Sequence, residues 1–176
     1  LLLGTIQAKA PGLEQVVAVE DVRVSREKLR PVDVLPDDVC FLQFTSGSTA
    51  RPKGVTLTHA NLAANVRAIM QLGLAVTDTV DSGISWLPLY HDMGLIGFVI
   101  APIYHRNPIT FMSPLTFLKR PARWLEAVSQ YKGSISFGPN FAYALCVKRI
   151  KESEMQGLDL SSWRVAGCGA DRKSVV

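Results

Sequence analysis

From residue 40 onward, short apolar runs of strand length alternate with longer segments whose apolar residues recur at helical spacing. The strand-length runs are residues 40–44, 55–57, 84–87, 109–112, 134–137 and 164–166, with an earlier one at 16–19. Between them, residues 58–73 carry Leu62, Val66, Ile69 and Met70 on one helical face, and residues 121–131 carry Trp124, Leu125 and Val128. Parallel strands need crossover connections, usually helical, so this order predicts an α/β fold with a mainly parallel, helix-covered sheet. Ligands of such sheets sit beyond the carboxyl ends of the strands. The loops after Phe44, Leu87, Phe137 and Ala166 are therefore expected to converge on one edge.

Local signals refine these elements. Thr58 suits an N-cap, and Gly73 a helix stop. Residues 93–104 are apolar nearly all round, which predicts a buried helix with Asp92 as its N-cap. Residues 40–44 read as a buried strand. Pro121 suits the first turn of its helix, Gly133 ends it, and a further helix is expected over residues 140–152.

Composition excludes several classes. With 176 residues, 48% hydrophobic and 19% charged, the chain has the make-up of one soluble globular domain. Its net charge of +4 is scattered, and the clusters Lys119, Arg120, Arg123 and Lys148, Arg149, Lys151 each adjoin a helical pattern. They read as solvated helix faces, and no basic stripe interleaved with aromatics points to nucleic acid. Cys40, Cys146 and Cys168 are far apart with no Cys-x-x-Cys pair, which predicts packed, reduced thiols and a cytoplasmic setting. The longest apolar stretch falls well short of the ~20 residues that span a bilayer, so no transmembrane segment is expected. A start without Met or a basic leader suggests a segment of a longer protein.

The strongest chemical signal is the loop Thr45-Ser46-Gly47-Ser48-Thr49-Ala50-Arg51-Pro52-Lys53-Gly54. Its amides and hydroxyls can face phosphate oxygens, Gly47 permits close backbone approach, and Lys53 brings a compact positive charge. It is not a Walker A loop, which needs Gly-Lys followed by Ser or Thr at the opening of a helix. A loop of this composition alone reads equally as a flexible turn; the full arrangement with Lys53 favours phosphate. A second constellation, Trp86-Leu87-Pro88-Leu89-Tyr90-His91-Asp92-Met93-Gly94-Leu95-Ile96-Gly97, sets His91 in a turn between a strand and a helix. A lone histidine there is more often structural than catalytic.

The first loop resembles the phosphate-binding motif of the adenylate-forming superfamily, which includes acyl-CoA synthetases, fatty acyl-AMP ligases and peptide-synthetase adenylation domains. Only Ala50 departs, from a frequent glycine. The resemblance implies that Thr45, Ser46, Gly47, Ser48, Thr49, Lys53 and Gly54 wrap the ATP β- and γ-phosphates. The second stretch is similar to the superfamily motif that lies near the acyl carboxylate, in the extended form found in fatty acyl-AMP ligases. It implies a catalytic, positioning role for His91. Pro139-Asn140-Phe141-Ala142-Tyr143 points the same way, and the resemblance implies an acyl pocket bordered by Tyr90, Met93, Asn140 and Phe141.

Residues 158–170 resemble the approach to the adenine-binding loop, implying adenine contacts by Gly169, Ala170 and Asp171. Asp171 and Arg172 stand where the family has Glu and Pro, and residues 172–176 form an atypical tail. The resemblance thus implies part of an AMP-binding N-terminal domain over residues 1–171. The Mg²⁺ ligand and the C-terminal domain with its lysine would lie beyond this chain, and the segment alone is expected to be inactive. The implied reaction of the whole protein is ATP-dependent activation of a fatty acid to acyl-AMP, with an acyl carrier protein or CoA as acceptor. The alternatives are a long-chain acyl-CoA synthetase and a catalytically dead nucleotide- or partner-binding remnant.

Overall fold

A computed structural model describes residues 10, 12, 32–45, 53–76 and 81–169. The chain divides into two compact units, Leu1–Val34 and Leu35–Val176, and every element below belongs to the second. The strand expected at 16–19 lies outside the described residues.

The first two strands, β1 (Val39–Thr45) and β2 (Lys53–Thr58), form an antiparallel hairpin. Thr58 then caps α1 (His59–Arg67): its hydroxyl accepts from the Asn61 amide at 3.2 Å, and the Asn61 side chain accepts from the Thr58 amide at 3.1 Å. This reciprocal box satisfies amides that the first helical turn leaves unpaired. The helix continues as a π-helical segment, Ala68–Gly73, ending at Gly73 as its sequence predicts.

The parallel sheet contains β3 (Gly83–Ser85), β4 (Ile109–Phe111), β5 (Ile135–Gly138) and β6 (Val165–Cys168), in the order β4-β3-β5-β6. The β3–β4 crossover comprises α2 (Asp92–Leu95), a π-helical segment Ile96–Ile100 and α3 (Ala101–His105). Helices α4 (Pro114–Lys119) and α5 (Ala122–Tyr131) connect β4 to β5, while α6 (Asn140–Arg149) and α7 (Glu152–Met155) connect β5 to β6.

Strand alternation sorts the core into two clusters. Ile135 and Val165 pack with Val66, Met70 and Ala101, on the side of α1 and α3. On the opposite face, Ile84 packs with Phe117, Trp124, Val128 and Ala142 of α4, α5 and α6. Trp86 stacks on Phe117 at 4.0 Å, and Trp124 meets both rings edge-on. The indole of Trp124 donates to Ser136 Oγ at 2.8 Å, and that hydroxyl donates to the Ile84 carbonyl. These polar groups, buried between sheet and helix, therefore have partners, as burial requires.

Several expectations need correction. The run 40–44 is a strand but not a buried one: Leu42 and Phe44 are exposed, because the hairpin stands outside the parallel sheet. The helix over 93–104 is covered on one side only, with Phe98 and Ala101 buried and Ile103 and Tyr104 exposed. The residue preceding α2 is His91, so Asp92 stands in the first turn rather than at the N-cap. The helix expected over 140–152 breaks at Ile150, whose backbone is extended. There Glu154, held by Arg120 at 3.1 Å, accepts the Lys151 amide and starts a separate turn. Cys40 and Cys168 are exposed rather than packed, on the hairpin and at the end of β6, while Cys146 is half-buried.

Candidate functional site

The connectivity of the sheet fixes where a site can form. From β3 the chain moves outward to β4, whereas from β5 it moves outward on the other side to β6. Adjacent strands whose connections leave in opposite directions open a crevice above their carboxyl ends. The loops that enter this crevice carry His91, after β3, and Pro139, after β5.

A cavity of about 650 Å³ runs from this edge between the sheet and the helices of the α1 side. His91, Met93 and Gly169 line its mouth, and Gly83, Ile135 and Phe137 supply its sheet wall. Ile69 and Met70 of one π-helical segment, and Ile96 and Gly97 of the other, supply its helical wall. A π-helical turn is wider than an α-turn and is frequent at functional sites. Asp81, Ser82 and Asn107 lie at the opposite end, where β3 begins and β4 is about to begin.

At the mouth, His91 Nδ1 lies 2.6 Å from Asp92 Oδ1 and 3.4 Å from the Met93 amide nitrogen. One ring nitrogen cannot donate to a carboxylate and accept from an amide at once. The Met93 amide already bonds Asp92 Oδ1 at 2.7 Å, so the shorter contact decides, and Nδ1 carries a proton directed to Asp92. In that tautomer the ring presents Nε2 as its acceptor. The side chains of His91 and Asp92 are 53% and 62% exposed, leaving the pair open to a ligand.

At the far end, Asp81 is buried and receives Arg164 Nε and Nη2 at 2.7 Å each and Ser134 Oγ at 2.7 Å. The same guanidinium donates to the carbonyls of Leu74 at 2.8 Å and Ala75 at 3.4 Å, just past the first π-helical segment. Asp81 and its hydrogen bonds hold the Arg164 pKa above its ordinary value. This fork ties the starts of β3 and β6 to the end of the helix forming the cavity wall.

The residues singled out from the sequence are distributed unevenly. His91, Met93 and Gly169 come together, and a Cβ on Gly169 would lie 2.8 Å from Met93 Sδ. Tyr90, Asn140 and Phe141 are exposed and stand outside the cavity lining, with Phe141 edge-on to Trp86 at 6.3 Å. Thr45 and Lys53 are cross-strand partners at the end of the hairpin, and Gly54 pairs with Phe44. Ser46, Gly47, Ser48, Thr49, Ala170 and Asp171 lie outside the described residues. Among the described residues no cluster of three or more His, Cys, Asp or Glu side chains could hold a metal ion, so none of them is assigned to Mg²⁺. No helix among them is long and apolar enough to cross a membrane.

Residues 4–175 match the family described as AMP-binding enzyme, nearly the whole chain. The chain belongs to that family. It is 45% identical over 172 residues to the medium-chain-fatty-acid–[acyl-carrier-protein] ligase TtuA of Teredinibacter turnerae, covering 97% of this chain and 26% of that protein. A 4-hydroxyphenylalkanoate adenylyltransferase of Mycobacterium marinum is 40% identical over 165 residues, covering 92% of this chain and 26% of its own length. The crystal structure of a fatty acyl-adenylate ligase from L. pneumophila, in complex with acyl adenylate and pyrophosphate, superposes with a TM-score of 0.76. That match is at 47% identity and covers 81% of this chain and 25% of the other. The chain thus spans about a quarter of the length of the relatives it matches.

Two features of this AMP-binding segment escape the sequence reading. The partner of Asp81 is 83 residues away, so only the fold reveals their bond. Gly97 stands in an apolar run where spacing alone does not show that it faces a void. Its position four residues after Met93 was the available signal.

Proposed function

We propose that this chain forms the phosphate- and acyl-binding part of an ATP-dependent ligase that converts a fatty acid to acyl-AMP, releasing pyrophosphate. The observation that carries this reading is the apolar cavity of about 650 Å³ opening beside His91. An acyl tail buried there gains about 0.8 kcal/mol per methylene. The carboxylate of such a tail would lie at the mouth, within reach of the His91 ring.

In this reading the carboxylate oxygen attacks the α-phosphorus of ATP. A new carboxyl–phosphorus linkage forms as the bond from the α-phosphorus to the bridging oxygen of the leaving pyrophosphate breaks. Thr45, Ser46, Gly47, Ser48, Thr49, Lys53 and Gly54 hold the β- and γ-phosphates and so anchor the leaving group. His91, oriented by Asp92, positions the carboxylate against the α-phosphate. Gly169, Ala170 and Asp171 border the adenine. The work of these groups is positioning and charge stabilisation. The remaining parts of the active centre, including a C-terminal domain, would come from sequence outside residues 1–171.

Support also comes from the relatives, whose names describe fatty acid activation, transfer to an acyl carrier protein and adenylate formation. The acceptor in this reading is an acyl carrier protein, with CoA as the second reading because a 43% identical relative from Caulobacter vibrioides is named a putative acyl-CoA synthetase. Lys53→Ala in the full-length protein should weaken ATP–pyrophosphate exchange about ten- to a hundredfold, the worth of a charge-assisted contact. Unchanged exchange would remove the phosphate assignment. Supplying CoA or carrier protein to the loaded enzyme separates the two acceptors.

A further inference from the structure

Three glycines line the cavity, and they differ in what a side chain would meet. A Cβ on Gly83 would lie 2.3 Å from Ile109 Cδ1, and one on Gly169 would lie 2.8 Å from Met93 Sδ. At both of these glycines a neighbour occupies the space. A Cβ on Gly97 would have no heavy atom within 4 Å. Gly97 comes four residues after Met93, and both line the cavity, so they share the helical face turned toward it.

Position along the cavity matters as much as the space. The helix enters at the mouth with Asp92 and Met93, and Pro102 lines the cavity further along. Gly97 is six residues beyond His91, about 9 Å along a helix axis. A side chain there would narrow the passage part-way between the His91 mouth and the Asp81 end. Phe98, the next residue, packs edge-on against Phe137 at 6.2 Å and fixes the helix against the sheet at this depth. Since the backbone is held while Cβ space stays open, a larger residue has only the void to enter.

We propose that Gly97 sets the length of acyl chain admitted to this cavity, its missing side chain being the opening through which longer tails pass. This rests on the acyl-pocket reading above. The group recognised is an unbranched alkyl tail, sensed by available length rather than by polar contact.

The test is a graded series, Gly97→Ala, Gly97→Val and Gly97→Phe, in the full-length protein. Adenylation of medium- and long-chain fatty acids is compared with displacement of a fluorescent fatty acid measured without ATP. Each methylene displaced should cost about fourfold in affinity. Long-chain acids should therefore lose binding progressively along the series, while acids ending short of Gly97 keep theirs. Alanine suits a helical position better than glycine, so Gly97→Ala keeps the fold in any case and still reads one methyl group. Ile69→Trp, on the other π-helical segment of the same wall, separates two failures. If it alters the chain-length profile and the Gly97 series does not, Gly97 loses this role and the acyl pocket stands. If neither alters the profile, the acyl-pocket reading falls as well.

Discussion

Arg164 grips Asp81 through two parallel hydrogen bonds of 2.7 Å each, one to each carboxylate oxygen. The pair is asymmetric: the Asp81 side chain is 3% exposed and that of Arg164 is 40% exposed. Removing the arginine would take both guanidinium bonds from a buried carboxylate and release the Leu74 and Ala75 carbonyls together. Breaking a buried pair costs about 3–5 kcal/mol, and the partial solvation of Arg164 places this case near the lower end. Arg164→Ala should lower unfolding free energy by about 3 kcal/mol in denaturant titration. Arg164→Lys should recover little, since an ammonium group lacks the planar fork.

Gly167 and Phe137 are cross-strand partners, and a Cβ on Gly167 would lie 2.1 Å from the Phe137 ring. Phe137 also lines the cavity. Gly167→Ala should therefore destabilise the sheet by about 1–3 kcal/mol, as overpacking does. It should also push the ring toward the cavity and weaken fatty-acid binding. Denaturation and ligand displacement would read the two effects separately.

The 2.6 Å contact between His91 and Asp92 fixes which ring nitrogen carries the proton. If Nε2 is the atom that meets substrate, Asp92→Asn should slow adenylation only about two- to tenfold, the worth of one neutral hydrogen bond. His91→Ala should slow it more, because it removes the group itself. Equal rates for parent and both variants in ATP–pyrophosphate exchange would exclude a role for the pair.

Tyr143 donates its hydroxyl to the Gly167 carbonyl at 2.7 Å, and burial, together with nearby Cys168 and Cys146, pushes its pKa up to about 12. Between the ordinary tyrosine value and this one, the folded chain keeps a proton that the unfolded chain has lost. Stability attributable to Tyr143 is thus intact below about pH 10 and falls as pH rises toward about 12. Subtracting the alkaline absorbance titration of Tyr143→Phe from that of the parent should isolate this late phenolate step. The variant should also lose less stability over that interval.

The architecture was readable because its signals are local. Thr58 announces a capped helix, and the runs 84–87 and 134–137, closed by Pro88 and by Gly138-Pro139, overlap β3 and β5. What sequence could not show depends on long-range partners. The apolar run of β1 looks like a core strand, but its partner is β2 rather than a member of the parallel sheet. Ile150 sits inside a helix-compatible stretch, and it breaks because Glu154, anchored by Arg120, takes the next amide. For the candidate site, His91, Met93 and Gly169 were identifiable from motifs and do meet, because their loops extend from parallel strands of one sheet. The Asp81–Arg164 fork was not, since neither residue carries a local mark of its partner.

The two π-helical turns let the cavity wall absorb the loss of a residue. Each wide turn behaves as an α-helix that has gained one residue. Deleting a single residue within Ala68–Gly73 would let that turn close to regular α geometry while the side chains before it keep their facing. A shortening that would turn the far half of an ordinary helix by about 100° would here be taken up inside the wide turn. A single-residue deletion at either place would thus change the width of the wall without rebuilding the sheet.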